Sequence, residues 1–169
     1  NYSAIGADNV VSSAWQRDEV TSATNPKWQF EMQYKKDFSD KKDHFLLISA
    51  LGSSFSKDQE SSFNNTPEFG EEALSDQQQT QTDFGQVEYT FKADYTQPFT
   101  EKITFETGGQ YLITDVGNDY SISNWENDQW VVVTDLSNSF LYNQKVLGIY
   151  STGAYEGEKA GIKLGLRME

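Results

Sequence analysis

The stretch "QVEYTFKADYT", residues 86–96, alternates without an error. Val87, Tyr89, Phe91, Ala93 and Tyr95 fall on one side, with Gln86, Glu88, Thr90, Lys92 and Asp94 on the other. A side-chain period of two belongs to an extended strand; a helix would scatter these residues round its surface. In the following "TQPFTE", Pro98 removes a ladder donor and marks a tight turn. Then "KITFETGGQYLIT" repeats the pattern, setting Ile103, Phe105, Tyr111 and Ile113 against Lys102, Thr104, Glu106 and Gln110. The two runs form a hairpin.

Similar units lie on either side. "KWQFEMQYKKDF" sets Trp28, Phe30, Met32 and Tyr34 against Gln29, Glu31, Gln33 and Lys35. It leads through "SDKKD" into "HFLLISALGSSFS", which is apolar on both faces near its start and predicts cover on both sides there. The last unit is "NSFLYNQKVLGIYSTGAY", the turn "EGEKA" and "GIKLGLRME", with Ile162, Leu164, Leu166 and Met168 on one side. The expected fold is all-β, an antiparallel meander of about six long strands with almost no helix. Its free edges fall near residues 27–38 and 161–169.

The connections alternate in length. Short turns fall near residues 39–43, 97–101 and 156–160, and long polar stretches, expected as loops, occupy 58–82 and 115–137. Structureless loops above about 12–15 residues are uncommon in compact domains, whereas short turns at one end and long loops at the other suit an outer-membrane barrel. From Val87 to Tyr95 the apolar side spans about 27 Å at the rise of an extended strand, close to the height of a barrel's lipid-facing band. Tyr89, Tyr95 and Phe99 suit an interfacial girdle. The pattern alone also admits a soluble sandwich or a lipocalin-like barrel.

Composition narrows the chemistry. The 169 residues contain no cysteine and one histidine, His44, so a disulfide framework and a thiolate nucleophile are excluded. With 26 acidic and 13 basic residues, the net charge of −13 repels phosphate backbones and argues against nucleic acid. No run of 18 apolar residues offers a transmembrane helix. "GAYEGEK" has the wrong spacing for a phosphate loop and lies between strands, so it reads as a turn. His44 reads as a strand-end residue. The carboxylates of "DVGND" and "NWENDQW" lack the spacing of a calcium loop and read as solvated; "QQQTQT" is a low-complexity loop. Tyr120, Trp125 and Trp130 suit stacking on a sugar or gripping a peptide, and are the candidate ligand-binding residues, expected in a loop. Against that stands simple packing at a barrel rim. No nucleophile–base pair is visible, so no enzyme, metal site or cofactor is expected.

Two longer segments, "FKADYTQPFTEKITFETGGQYLIT" and "NSFLYNQKVLGIYSTGAYEGEKAGIKLGLRME", resemble the β-barrel of TonB-dependent outer-membrane receptors. The carrying elements are a Tyr-Thr-x-Pro turn, then Gly108, Gly109 and Tyr111. An Asn-x-Phe-x-Tyr start follows at Asn138, Phe140 and Tyr142, and the ending is Gly165, Leu166, Arg167 and Glu169. The resemblance implies turns 39–43, 97–101 and 156–160 on the periplasmic side and loops 58–82 and 115–137 outside the cell. It implies energy-coupled uptake of a scarce nutrient across the outer membrane of a Gram-negative bacterium. Residues 1–169 are then expected to be a fragment of the transmembrane barrel without a plug domain, since Glu169 falls mid-strand. Expected partners are outer-membrane lipid, the remainder of the barrel and plug, and an unidentified small nutrient. The isolated chain is expected to cover the apolar face carrying Phe91, Phe105 and Leu164, by curling or by self-association. The other class of reading is a soluble β-sheet module that binds carbohydrate or another small ligand.

Overall fold

A computed structural model describes residues 2–5, 11–38, 42–70 and 76–169. Nine strands account for nearly all of them: β1 (Tyr2–Ile5), β2 (Val11–Thr24), β3 (Lys27–Asp37), β4 (Phe45–Phe69), β5 (Gln77–Pro98), β6 (Ile103–Glu126), β7 (Gln129–Val132), β8 (Asn138–Glu156) and β9 (Gly161–Met168). The only helical piece among the described residues is one 3-10 turn, Thr134–Leu136. The strands form one sheet in the order β1-β2-β4-β5-β6-β8-β9, with β3 also paired to β4 and β7 also paired to β6. Every pair with a defined register is antiparallel. The path has two ends, so the sheet is not closed.

The meander is as expected, but the count of six is too low. β1, β2 and β7 are added, and two long stretches expected as loops are mostly strand. β4 runs on to Phe69, β5 begins at Gln77, and β6 continues to Glu126. The edge expected at residues 27–38 is also only part of a longer row, because β2 and β3 pair with β4 in one register. Thr24 stands opposite Asp58 and Lys27 opposite Phe55. Between them Pro26 has no N–H to give, while its carbonyl accepts from the Ser56 amide at 3.1 Å. Of the turn expected at 39–43, residues 39–41 lie outside the described residues.

The chain divides into two compact units. One, here the apolar unit, comprises residues 27–55, 86–116 and 142–169. Its registers gather apolar side chains onto one face. Trp28, Phe30, Met32 and Tyr34 stand opposite Ser54, Gly52, Ala50 and Ile48, and Gly153 and Tyr155 stand opposite Leu164 and Ile162. Phe30 lies across Gly52, where an added Cβ would collide with the ring. The other face is polar. Tyr150 pairs with Arg167 across the ladder, and Lys163 reaches past its partner Ala154 to Glu106 at 2.7 Å. Turns are closed locally: Thr100 Oγ1 accepts from the amides of Lys102 and Ile103 at 3.2 and 3.0 Å, and the Gly157 amide donates to the Ala160 carbonyl at 2.9 Å.

No described hydrophobic residue is buried. Of the two ways expected for covering the apolar face, curling of the chain over itself is not what the structure shows: Phe91 is 48 % and Leu164 71 % exposed, and Phe105 is half-buried. Among the described residues there is one sheet and no helix longer than a 3-10 turn, so no second sheet or helix covers either face. For the same reason the double cover expected at the start of β4 is incomplete. Phe45, Leu46 and Leu47 are half-buried and Ile48 is exposed, with the Lys35 ammonium 4.7 Å from the Phe45 ring centre.

The other, polar unit comprises residues 1–26, 56–85 and 117–141. Its strands are rich in Ser, Thr, Asn and Gln, and they are held by the backbone ladder and by polar pairs. Thr21 and Ser61 share a hydrogen bond of 2.6 Å. Arg17 donates to Asn65 Oδ1 at 2.7 Å, and its guanidinium lies 5.0 Å from the Phe63 ring centre. β6 turns into β7 through Asn127 and Asp128, with φ of 50° and 63°. Two successive left-handed residues make a type I′ turn, whose twist matches a hairpin.

Candidate functional site

The three aromatic residues singled out in the sequence lie on strands, not in a loop. Trp125 on β6 and Trp130 on β7 stand directly opposite each other across the tight turn. Their rings meet edge to face, with centroids 5.2 Å apart and planes at 67°, a favourable geometry for aromatic quadrupoles. Both remain partly open, at 37 % and 39 % exposure. Tyr120 is on β6 as well, but five residues from Trp125. An odd separation along a strand puts the two on opposite faces. The structure thus joins the two tryptophans and leaves Tyr120 apart.

Among the described residues of the polar unit, two cavities adjoin these aromatics. One, of about 300 Å³, is lined by Trp130 with Asp18, Val20, Ser62, Asn64 and Gln79, among others. Asp18 stands opposite Asn64 and Val20 opposite Ser62 in the β2–β4 ladder, so these four side chains share one face. The other cavity, of about 540 Å³, is lined by Asp83, Asp119, Tyr120, Ser137 and Ser139, among others. Asp119 accepts a hydrogen bond from Ser139 Oγ. Ser137 Oγ accepts from the Ile122 amide at 3.1 Å and donates to the Val133 carbonyl at 2.9 Å, stitching the 3-10 turn to β6.

The units differ sharply in charge. Among its described residues the polar unit carries eleven acidic and two basic residues, a net of −9. The apolar unit carries eleven acidic and ten basic, a net of −1. Its polar face holds a smaller cavity of about 210 Å³, lined by Lys92, Asp94, Gln110, Tyr150 and Arg167, among others. There the Tyr150 hydroxyl donates to Asp94 Oδ1 at 2.8 Å, passing over Gly108.

Other residues weighed in the sequence have structural partners. His44, just before β4, is buried; its Nε2 is 2.8 Å from the Tyr95 hydroxyl, and its ring stacks on Phe38 at 4.4 Å. Asp115 accepts from Asn143 Nδ2. Glu158 and Lys159 sit in the turn between β8 and β9. Among the described residues, no three His, Cys, Asp or Glu side chains converge as a metal site. Sequence reasoning missed Asp18, Val20, Asn64 and Gln79 around Trp130. Finding them required reading β2 and the ends of β4 and β5 as strands.

A family model described as an outer membrane protein beta-barrel family matches residues 36–169. No curated protein matches the chain.

Proposed function

The chain belongs to the outer membrane protein beta-barrel family, whose general place is the outer membrane of Gram-negative bacteria, and from that premise we propose that it is part of a receptor for energy-coupled uptake of a small nutrient. The observation that carries the reading is the length of the strands set against the placement of apolar and polar residues. β4, β5 and β6 have 25, 22 and 24 residues, while a bilayer needs roughly 9–11 per strand. About half of each strand is therefore left for water. The apolar alternation lies in the residues of the apolar unit, and the polar unit has the composition of a surface meant to be wet. Strand that continues past the bilayer gives a receptor a surface on which to capture its ligand.

In this reading outer-membrane lipid covers Phe30, Met32, Phe91 and Leu164, and further strands of the barrel take up the backbone groups at the ends of the sheet. A plug domain and a TonB-type coupling protein complete the machine. No catalytic step and no nucleic acid take part. A soluble carbohydrate module would need an apolar core to offset the entropy of folding, and no described hydrophobic residue is buried to supply one. The test is growth of a deletion strain across a panel of limiting nutrients. The expected result is a defect on one of them, reproduced by removing the coupling protein. Normal growth on every limiting nutrient would sink the reading.

A further inference from the structure

We propose that the cavity beside Trp130 binds an uncharged oligosaccharide, an inference that rests on the reading above in which the polar unit meets water outside the cell. The cavity, about 300 Å³, is at the small end for ligand sites. A sugar ring offers flat C–H faces and a rim of hydroxyls, each both donor and acceptor. It is recognised by an aromatic surface together with groups that donate and accept. Trp130 supplies the surface, and Asn64 and Gln79 carry amides that do both. Ser62 adds a hydroxyl and Asp18 a carboxylate that takes strong hydrogen bonds.

The site is also pre-arranged. Trp130 is braced against Trp125 by the edge-to-face contact and the tight turn, so little side-chain freedom is left to lose on binding. Asp18, Val20, Ser62 and Asn64 lie on one face of two paired strands, a flat platform of the kind a chain of sugar rings can lie along. The chemistry disfavours the rivals. An anion meets a unit of net charge −9. An apolar ligand would leave the amides desolvated without partners. A metal ion lacks converging ligands among the described residues.

The experiment uses the intact protein in detergent, with maltopentaose and chitopentaose as probes and spermidine and citrate as charged controls. Binding is read by tryptophan emission and by calorimetry. At least one oligosaccharide is expected to bind. Trp130→Ala should weaken that binding about tenfold or more, and Gln79→Ala, which leaves the tryptophan pair intact, about three- to tenfold. Trp28→Phe, in the other unit, should leave it unchanged. No response to either oligosaccharide, a response indifferent to both site variants, or binding of spermidine alone would overturn the proposal. Sugar binding without any growth defect on deletion would leave this site standing and remove the uptake reading; a growth defect without sugar binding would do the reverse.

Discussion

Leu164 and Val20 are almost equally exposed, at 71 % and 73 %, yet their surroundings demand opposite solvents. On β9, Leu164 is flanked along its own face by Ile162 and Leu166, both exposed, and stands opposite Gly153. On β2, Val20 is flanked by Asp18 and Ser22 and stands opposite Ser62. One valine among hydroxyls and a carboxylate is ordinary protein surface. Three neighbouring large aliphatics with no cover form a patch that water does not tolerate. Exposure by itself says nothing about environment; the company a residue keeps across the ladder does. In the reading proposed above, the first site faces lipid and the second faces water.

The largest effect that can break this comparison is a charge at each site. Leu164→Arg is expected to cost about 2–4 kcal/mol, the penalty for a cation on the lipid face near the bilayer middle. Val20→Arg should stay within about 0.5 kcal/mol, as surface changes do. Denaturant unfolding of the intact protein from liposomes measures both. Equal costs would mean that the two faces see the same solvent.

A smaller contrast concerns space. At Gly108 a methyl group would meet Asp94 Oδ1 at 2.6 Å, the Ala93 carbonyl at 2.7 Å and Tyr150 Cε1 at 2.7 Å. The Tyr150 ring crosses here to reach Asp94, and backbone cannot easily yield. Gly108→Ala should therefore cost about 1–3 kcal/mol through overpacking. At Gly85, in the polar unit, the same methyl would meet nothing within 4 Å. Gly85→Ala should be neutral, or stabilising by about 0.4–1 kcal/mol through the unfolded chain. The same unfolding assay reads both, and a Gly108→Ala protein as stable as the parent would show that the Tyr150–Asp94 bridge is dispensable.

The two units also differ in how far the sequence revealed them. In the apolar unit, β3, β5, β8 and β9 were legible because one face is apolar and the other polar, and that contrast writes itself as period two. In the polar unit both faces of "SKDQESSFNNT" and "QQQTQTDF" are polar, so the strands carry no alternation to read. Their stability comes from backbone pairing, which any residue except proline can make. Long polar strands thus passed for loops. The tryptophan pair was legible in composition but not in arrangement, although its signals were present. "WENDQW" places an Asn-Asp pair, fit for left-handed backbone, midway between two aromatics. The separation of Tyr120 from Trp125 follows from parity, five being an odd number of steps, only once β6 is known to run through both. The cavity around Trp130 was not legible, because it depends on β2 pairing with the end of β4.

The smallest expected effect tests whether turn chemistry, rather than a solvent contrast, holds the polar unit's hairpin in register. Asn127 and Asp128 both have positive φ, and a non-glycine residue pays for that through its Cβ, asparagine and aspartate least. Asn-Gly is the preferred pair for this turn. Asp128→Gly relieves the strain at φ 63° and removes one of the many negative charges in the unit. Against this, glycine has more freedom to lose on folding. At a left-handed position relief should win, leaving a net gain of about 0.5 kcal/mol. The change should appear locally, as slower hydrogen exchange at the Val133 amide, which donates to the Ile122 carbonyl at 2.8 Å. It should leave the Gly157 amide, in the turn of the apolar unit, untouched. Faster exchange at Val133 would mean that Asp128 contributes more than its backbone angle, and that this turn is held by its side chain.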